Sequence, residues 1–141
     1  MLVLDTNVLS EMMQADPAPA VIRWLDRQPA ESIWITAVTV FEIRYGLEIL
    51  PNGKKRQKLE NLFVRALQEG LENRVLSFDA VAAQYAASLA AARLKAGRTV
   101  DLRDTLIAGI VLARRAKIVT RNTRHFDDLG VAVINPWKSE S

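Results

Sequence analysis

Asp5, Glu42, Asp104 and Asn122 are the residues of this chain whose types could assemble a reaction centre. Asp5 closes a short aliphatic run, Leu2-Val3-Leu4, and is followed at once by Thr6 and Asn7. A carboxylate at the C-terminal end of a strand sits where open α/β sheets place their ligands. Glu42 lies in Thr39-Val40-Phe41-Glu42-Ile43, among apolar neighbours that would partly desolvate it. Asp104 stands just before the apolar face Leu106-Ile107-Ile110-Val111, near a helix N-terminus that favours negative charge. Asn122 follows Ile118-Val119-Thr120-Arg121, at a further strand tip. Carboxylates gathered in one pocket repel one another unless a cation neutralises them. Oxygen ligands of this kind suit Mg²⁺ or Mn²⁺, and such an ion acidifies water for attack on a phosphodiester without a catalytic histidine.

Taken singly, each residue also has a plainer reading. Asp5 and Asp104 serve as helix caps, Glu42 as a structural or solvated side chain, and Asn122 as a turn residue. Asp101 precedes Asp104 by three positions and shares its face, as a cap or a partner of the ligand shell. Spacing alone leaves both readings open.

The elements that must carry these residues alternate. After the first strand, Val8 to Met13 reads as a short helix capped by Thr6 or Asn7. Pro17 and Pro19 open a second helix to about Arg27, with Val21, Trp24 and Leu25 on one face. Ser32 to Thr36 is a second strand, and the helix after it runs to about Leu50, closed by Pro51-Asn52-Gly53. A long amphipathic helix is expected from Lys54 to Leu71. Arg74 to Ser77 follows as a short strand. Asp79 caps an alanine-rich helix to Ala96, which Gly97 breaks. A helix over Leu102 to Arg115 and strands at Lys117 to Thr120 and Val131 to Ile134 complete the chain; Asn135-Pro136 stops the last strand. Alternation of this kind predicts an α/β fold, a parallel sheet with helices on both faces.

The 141 residues suit one domain, with no internal repeat or linker. Half the chain is hydrophobic and only 6% aromatic, so the core is aliphatic and rich in alanine, while a 25% charged share argues against disorder. Net charge of +3 and a pI near 9.5 are compatible with a nucleic-acid substrate. With no cysteine, disulfides and thiolate metal sites are excluded. The start of the chain lacks the pattern of a signal peptide. The longest apolar run, Leu106 to Ala113, falls far short of the roughly 20 residues that cross a bilayer, so a soluble cytoplasmic protein is expected.

Several segments together resemble the PIN-domain ribonucleases, in particular the VapC-type toxins of type II toxin–antitoxin pairs. They are Leu2-Val3-Leu4-Asp5-Thr6-Asn7-Val8, Thr39-Val40-Phe41-Glu42-Ile43-Arg44-Tyr45-Gly46, Asp104-Thr105-Leu106-Ile107-Ala108-Gly109 and Val119-Thr120-Arg121-Asn122-Thr123-Arg124-His125-Phe126. The tail Val133-Ile134-Asn135-Pro136-Trp137 resembles the FitB-like branch. The resemblance covers the whole chain and implies a single PIN domain over 1–141, a three-layer α/β/α fold with a central parallel sheet. It implies Mg²⁺ or Mn²⁺ held by Asp5, Glu42 and Asp104, with Asn122 assisting, and endonucleolytic cleavage of structured RNA such as tRNA or rRNA. It further implies a homodimer, a cognate VapB-type antitoxin, a larger toxin–antitoxin assembly, and contact with operator DNA only through the antitoxin. The alternative is a catalytically weak PIN-fold partner in a DNA-bound regulatory complex. Many PIN domains carry a fourth acid where Asn122 stands, so one firmly bound metal is expected, with a second only when substrate phosphate is present. A haloacid-dehalogenase-type phosphoryl transfer is disfavoured, because it needs a second Asp where Asn7 stands.

Lys54, Lys55, Arg56 and Lys58 crowd a helix N-terminus against its dipole, which suggests a solvated run or a site for RNA phosphate or an acidic partner. Among Arg114, Arg115, Lys117, Arg121 and Arg124, Arg121 and Arg124 fall closest to the pocket and are candidates for positioning phosphate. His125, the one histidine, reads as a loop residue rather than a general base. Trp137 reads as a tail anchor, and Trp24 and Trp34 as core or interface residues. Thr6 and Thr120 serve as caps or as partners of metal waters, and Asn7 can orient Asp5.

Overall fold

Aliphatic strands alternate with capped helices along residues 1–138, the residues that the structure, a computed structural model, describes. Five parallel strands form one sheet: β1 Leu2–Leu4, β2 Ile33–Thr36, β3 Val75–Leu76, β4 Lys117–Val119 and β5 Val133–Ile134. Their order is β3-β2-β1-β4-β5. The chain builds outward from β1 on one side and then returns to β4 on the other. This reversal opens a crevice at the C-terminal tips of β1 and β4, where such sheets bind ligands.

Strand residues alternate between two cores, as a sheet covered on both faces requires. Leu2, Leu4, Ile33, Ile35 and Val119 meet helices α1 (Thr6–Met12), α2 (Pro19–Asp26), α3 (Ala37–Glu48) and α4 (Lys54–Arg65) on one face. Val3 and Ile118 meet α5 (Ala80–Lys95) and α6 (Leu102–Arg114) on the other. Each fully buried aliphatic side chain here contributes about 1.5–3 kcal/mol. Helices α5 and α6 approach so closely that a Cβ on Gly109 would lie 2.6 Å from the Ala82 carbonyl oxygen and 2.7 Å from the Ala86 Cβ. The expected three-layer architecture is the one observed.

Several boundaries differ from expectation for local reasons. Asp5, rather than Thr6 or Asn7, is the N-cap of α1; its Oδ1 accepts the Thr6 N–H at 2.8 Å. The helix expected to run from Lys54 to Leu71 leaves α geometry at Arg65 and continues as a π turn over Ala66–Gly70. That wider turn lets Leu71 reach the core, and Glu72 and Asn73 then take left-handed conformations before β3. Gly97 ends α5 as expected, at φ +69°.

Candidate active site

Asp5 extends β1 by one residue, and its backbone N–H donates to the Val119 carbonyl at 2.8 Å. This ladder contact brings the ends of β1 and β4 together. The carboxylate is 2% exposed, and its Oδ2 accepts the Thr120 hydroxyl at 2.7 Å and the Asn7 amide at 3.3 Å. The Thr120 oxygen in turn accepts the Asn122 backbone N–H at 3.0 Å. Thr120 and Asn7 therefore orient Asp5.

Helix α3 begins at Thr36, whose hydroxyl accepts the Thr39 N–H, and this start sets Glu42 on the turn facing α1. The Thr6 hydroxyl donates to Glu42 Oε1 at 2.8 Å, while Thr6 and Thr39 hydroxyls lie 2.9 Å apart. Arg103 approaches Glu42 Oε2 at 3.8 Å and Asp101 at 3.3 Å. Asp101 is the N-cap of α6, accepting the Arg103 N–H at 2.8 Å, which places Asp104 in the first turn. His125 Nδ1 lies 2.6 Å from Asp104 Oδ2, a contact that fixes the carboxylate's orientation.

Asp5, Glu42, Asp104 and Asn122 line one open cavity of about 430 Å³, together with Thr6, Asn7, Ser10, Arg121 and Trp137. Asn122 precedes the short helical turn Thr123–His125, yet its side chain makes no capping bond there. The amide therefore faces the cavity instead of being spent on the turn.

The electrostatics of this cavity are unfavourable for its own acids. Burial pushes the Asp5 carboxyl up to about 6, against the Thr120 hydrogen bond, and the charges of Asp104 and Glu42 push the same way. Glu42 is also raised, chiefly by burial, although Thr6 and Arg103 oppose the shift. Among the described residues, no group of three or more carboxylate or imidazole side chains forms a ready-made metal cage. The donor set nevertheless fits a hydrated divalent ion. Mg²⁺ takes one or two carboxylates and keeps several waters, and a cavity lined by oxygen ligands and hydroxyls has room for them.

Other sequence expectations fare unevenly. His125, expected in a loop, ends the short helical turn Thr123–His125 and touches Asp104, which its position beside Asn122 did not signal. Arg124 lines a neighbouring cavity with Arg98 and Asp127 rather than the acidic one. Arg56 leaves the supposed RNA-facing run, since it binds Glu60, Glu48 and the Leu50 carbonyl. Lys54, Lys58 and Arg65 do line a shallow groove on α4. Sequence reasoning missed Arg103 and Arg93. Arg93 is buried on α5 and grips Asp128 through two nitrogens at 2.8 and 2.9 Å.

Five parallel strands with acids gathered at the β1–β4 switch define an α/β domain with an acidic pocket at its topological switch point. A PIN domain profile matches residues 2–132. A VapC ribonuclease of Sinorhizobium fredii, Y4jK, is 38% identical across 98% of this chain and 99% of its own length. The tRNA(fMet)-specific endonuclease VapC of Shigella flexneri is 34% identical over 95% of this chain and 96% of its own. The structure of FitAB bound to an IR36 DNA fragment superimposes with a TM-score of 0.89 at 33% identity, covering 100% of this chain and 99% of that one. The chain belongs to the PIN-domain family, among the VapC- and FitB-type toxins of toxin–antitoxin pairs.

Proposed function

We propose that this protein is a Mg²⁺-dependent endoribonuclease that cleaves structured cellular RNA, tRNA or rRNA, as the toxin of its pair. One observation carries the reading. Asp5, Glu42 and Asp104 line a single cavity in which burial and mutual repulsion raise Asp5 to about 6, a charge imbalance that a divalent cation relieves. Mn²⁺ is the expected substitute. When bound, the ion supplies Lewis acidity toward the phosphodiester and acidifies water.

The chain's own residues hold that centre in place. Asp5, Glu42 and Asp104 are the metal ligands and Asn122 assists through its amide oxygen. Thr120 and Asn7 fix Asp5, Thr6 fixes Glu42, and His125 fixes Asp104. With Asn122 in place of a fourth acid, one metal binds firmly and a second only alongside substrate phosphate. Calorimetric titration of Mn²⁺ into the RNA-free protein should give one tight site, and two would refute this count.

In the cell the toxin is cytoplasmic, dimeric and held by a cognate antitoxin, through which alone it contacts operator DNA. The complexes named FitAB and VapBC among the related structures support the pairing. Exposed Phe41 and Tyr45 on α3 and Ile49 at its C-cap recur every four residues, an apolar stripe suited to another protein surface. The name of the Shigella relative supports tRNA as one substrate class.

The decisive experiment incubates the purified toxin with total RNA, with Mg²⁺ or with EDTA, beside Asp5→Asn. Sequencing of the new RNA ends should show Mg²⁺-dependent cuts by the wild type alone. Equal cutting by Asp5→Asn would sink the proposal.

A further inference from the structure

The cations near the acidic cavity differ in one respect. Arg103 is engaged by Asp101 and Glu42, and Arg98 by Asp127 and Asp128. Arg121 makes no ion pair among the described residues, although it lines the same cavity as Asp5, Glu42 and Asp104. It is nevertheless held in place. Its backbone N–H donates to Asn7 Oδ1 at 3.2 Å, and its guanidinium carbon lies 4.9 Å above the Trp137 ring. The Trp137 backbone N–H donates to Asn135 Oδ1 at 2.9 Å, and its side chain is partly buried against the core on the α1–α4 side of the sheet.

A guanidinium stacked on an indole loses rotamer freedom while its in-plane N–H donors stay available at the edge. That edge matches two oxygens of a phosphate. The stacked guanidinium also occupies the indole face, so Trp137 is not offering that face to a base. An RNA strand approaching three carboxylates further needs a fixed positive charge beside them.

We infer that Arg121, clamped by Trp137, grips an RNA phosphate flanking the scissile one and so sets the register of the strand across the acidic cavity. This inference rests on the endoribonuclease reading and assigns Arg121 a positioning role.

The test separates the two claims. Binding is read on an Asp5→Asn background in EDTA, using fluorescein-labelled bulk tRNA and anisotropy at several salt concentrations. Cleavage is read in the otherwise wild-type protein on total RNA with Mg²⁺. Arg121→Gln should weaken binding about tenfold, the worth of one charged hydrogen-bonded contact. It should lower the slope of log affinity against log salt by about 0.7–0.9, one phosphate's share. In cleavage, KM should rise with kcat nearly unchanged, as for an interaction made equally in ground and transition states.

Arg121→Lys keeps the charge but not the fork and should fall between, while Trp137→Leu should reproduce much of the Arg121→Gln loss with the charge intact. Trp137→Phe should rescue it. An unchanged salt slope and affinity in Arg121→Gln, with cleavage intact, would overturn the clamp and leave the nuclease reading standing. A loss of kcat accompanied by a lower melting temperature would also overturn it, marking Arg121 as a structural residue. If the wild type neither binds nor cuts RNA, the endoribonuclease reading fails and the clamp fails with it.

Discussion

Two charged clusters lie a few side chains apart in this molecule, and they are built on opposite principles. In the cavity at the β1–β4 tips, Asp5, Glu42 and Asp104 face one another with Arg103 as a distant counter-charge, 3.8 Å from Glu42. Behind it, Arg93 is 4% exposed and fully engaged. It binds both oxygens of Asp128, the Thr105 hydroxyl at 2.9 Å and the His125 carbonyl at 2.6 Å. The first cluster raises carboxyl pKa values, while Arg93's hydrogen bonds hold Asp128 below the usual carboxylate range. A cluster that satisfies itself serves the fold. One that leaves negative charge in excess is tolerated where a ligand completes it.

The two are linked, because Arg93 grips the residues on either side of the contact between His125 and Asp104. Thr105 follows Asp104 directly, and the His125 carbonyl fixes the loop whose imidazole meets Asp104. The paired cluster thus braces one wall of the unpaired one.

Removing charge from each should therefore have opposite consequences. Asp5→Asn should lower RNA cleavage by about a hundred- to a thousandfold, the scale of losing a preorganised charged group in a catalytic site. The melting temperature of the metal-free protein should hold or rise, since the carboxylate's burial cost disappears. A clear fall in melting temperature would mean that Asp5 is chiefly a helix cap.

Arg93→Met should do the reverse. Asp128 is partly exposed and keeps Arg98 at 3.7 Å, so the loss should be about 1–3 kcal/mol, set chiefly by the Thr105 hydroxyl and His125 carbonyl left without their buried donor. Urea unfolding of Arg93→Met, alone and with Asp128→Leu, measures this. The double variant should recover only the share due to Asp128, since the Thr105 and His125 oxygens stay without that donor. If the single variant costs under about 1 kcal/mol, the pair is no stronger than an exposed salt bridge.

Acid should distinguish the clusters without mutation. For Asp5 the folded pKa of about 6 exceeds the ordinary value of 3.8, so the folded state binds its proton more tightly. Stability of the metal-free protein should rise as pH falls from about 6 toward 3.8, as the folded carboxyl protonates first. Glu42 is raised as well and adds in the same direction. Asp128 is lowered, so its contribution is present above 3.8 and lost as pH drops further. The melting temperature in EDTA should climb to a maximum at about pH 4 and then fall. In Asp5→Asn the climb should shrink to the part due to Glu42. A curve that falls steadily from pH 7 would contradict the assignment of Asp5 as a buried, destabilising acid.

The two clusters also differed in how readable they were. Asp5 announces itself because an aliphatic strand, a carboxylate and a helix start fall in consecutive residues. Asp104 is legible for a similar reason, with Asp101 as its cap and an apolar helix face beyond. Their meeting with Glu42 follows from the crossover at β1, which alternation predicts in kind. Arg93 gave no such signal. In the last turn of an alanine-rich helix, a cation reads as a solvated partner of the helix dipole. Its burial depends on Asp128, 35 residues away in the loop before β5. Arg56 failed in the same way, since Glu48 and Glu60 approach it from two helices. Periodicity reports which face an element buries, and it is silent on which charge on another element will meet it.

Thr120 offers the finest probe, because its hydroxyl is a neutral group that joins the tips of β4 and β1 through a short bond to Asp5. It donates to Asp5 at 2.7 Å and accepts from Asn122 at 3.0 Å. Thr120→Val preserves shape but removes these bonds and the one accepted from the Asn7 amide at 3.3 Å, leaving Asp5 Oδ2 with only the longer contact to Asn7. The stability loss should be about 1–3 kcal/mol, the cost of an unsatisfied buried group. Mn²⁺ affinity should fall about tenfold, as expected when a ligand loses its outer support. Because the Thr120 bond lowers the Asp5 pKa, the pH at which metal begins to bind should also move upward. Thr120→Ser should restore affinity, since the hydroxyl alone does the work. If Val and Ser variants bind metal equally, then the backbone at the strand tips positions Asp5 unaided, and the unpaired cluster is less dependent on its neutral partners than its geometry implies.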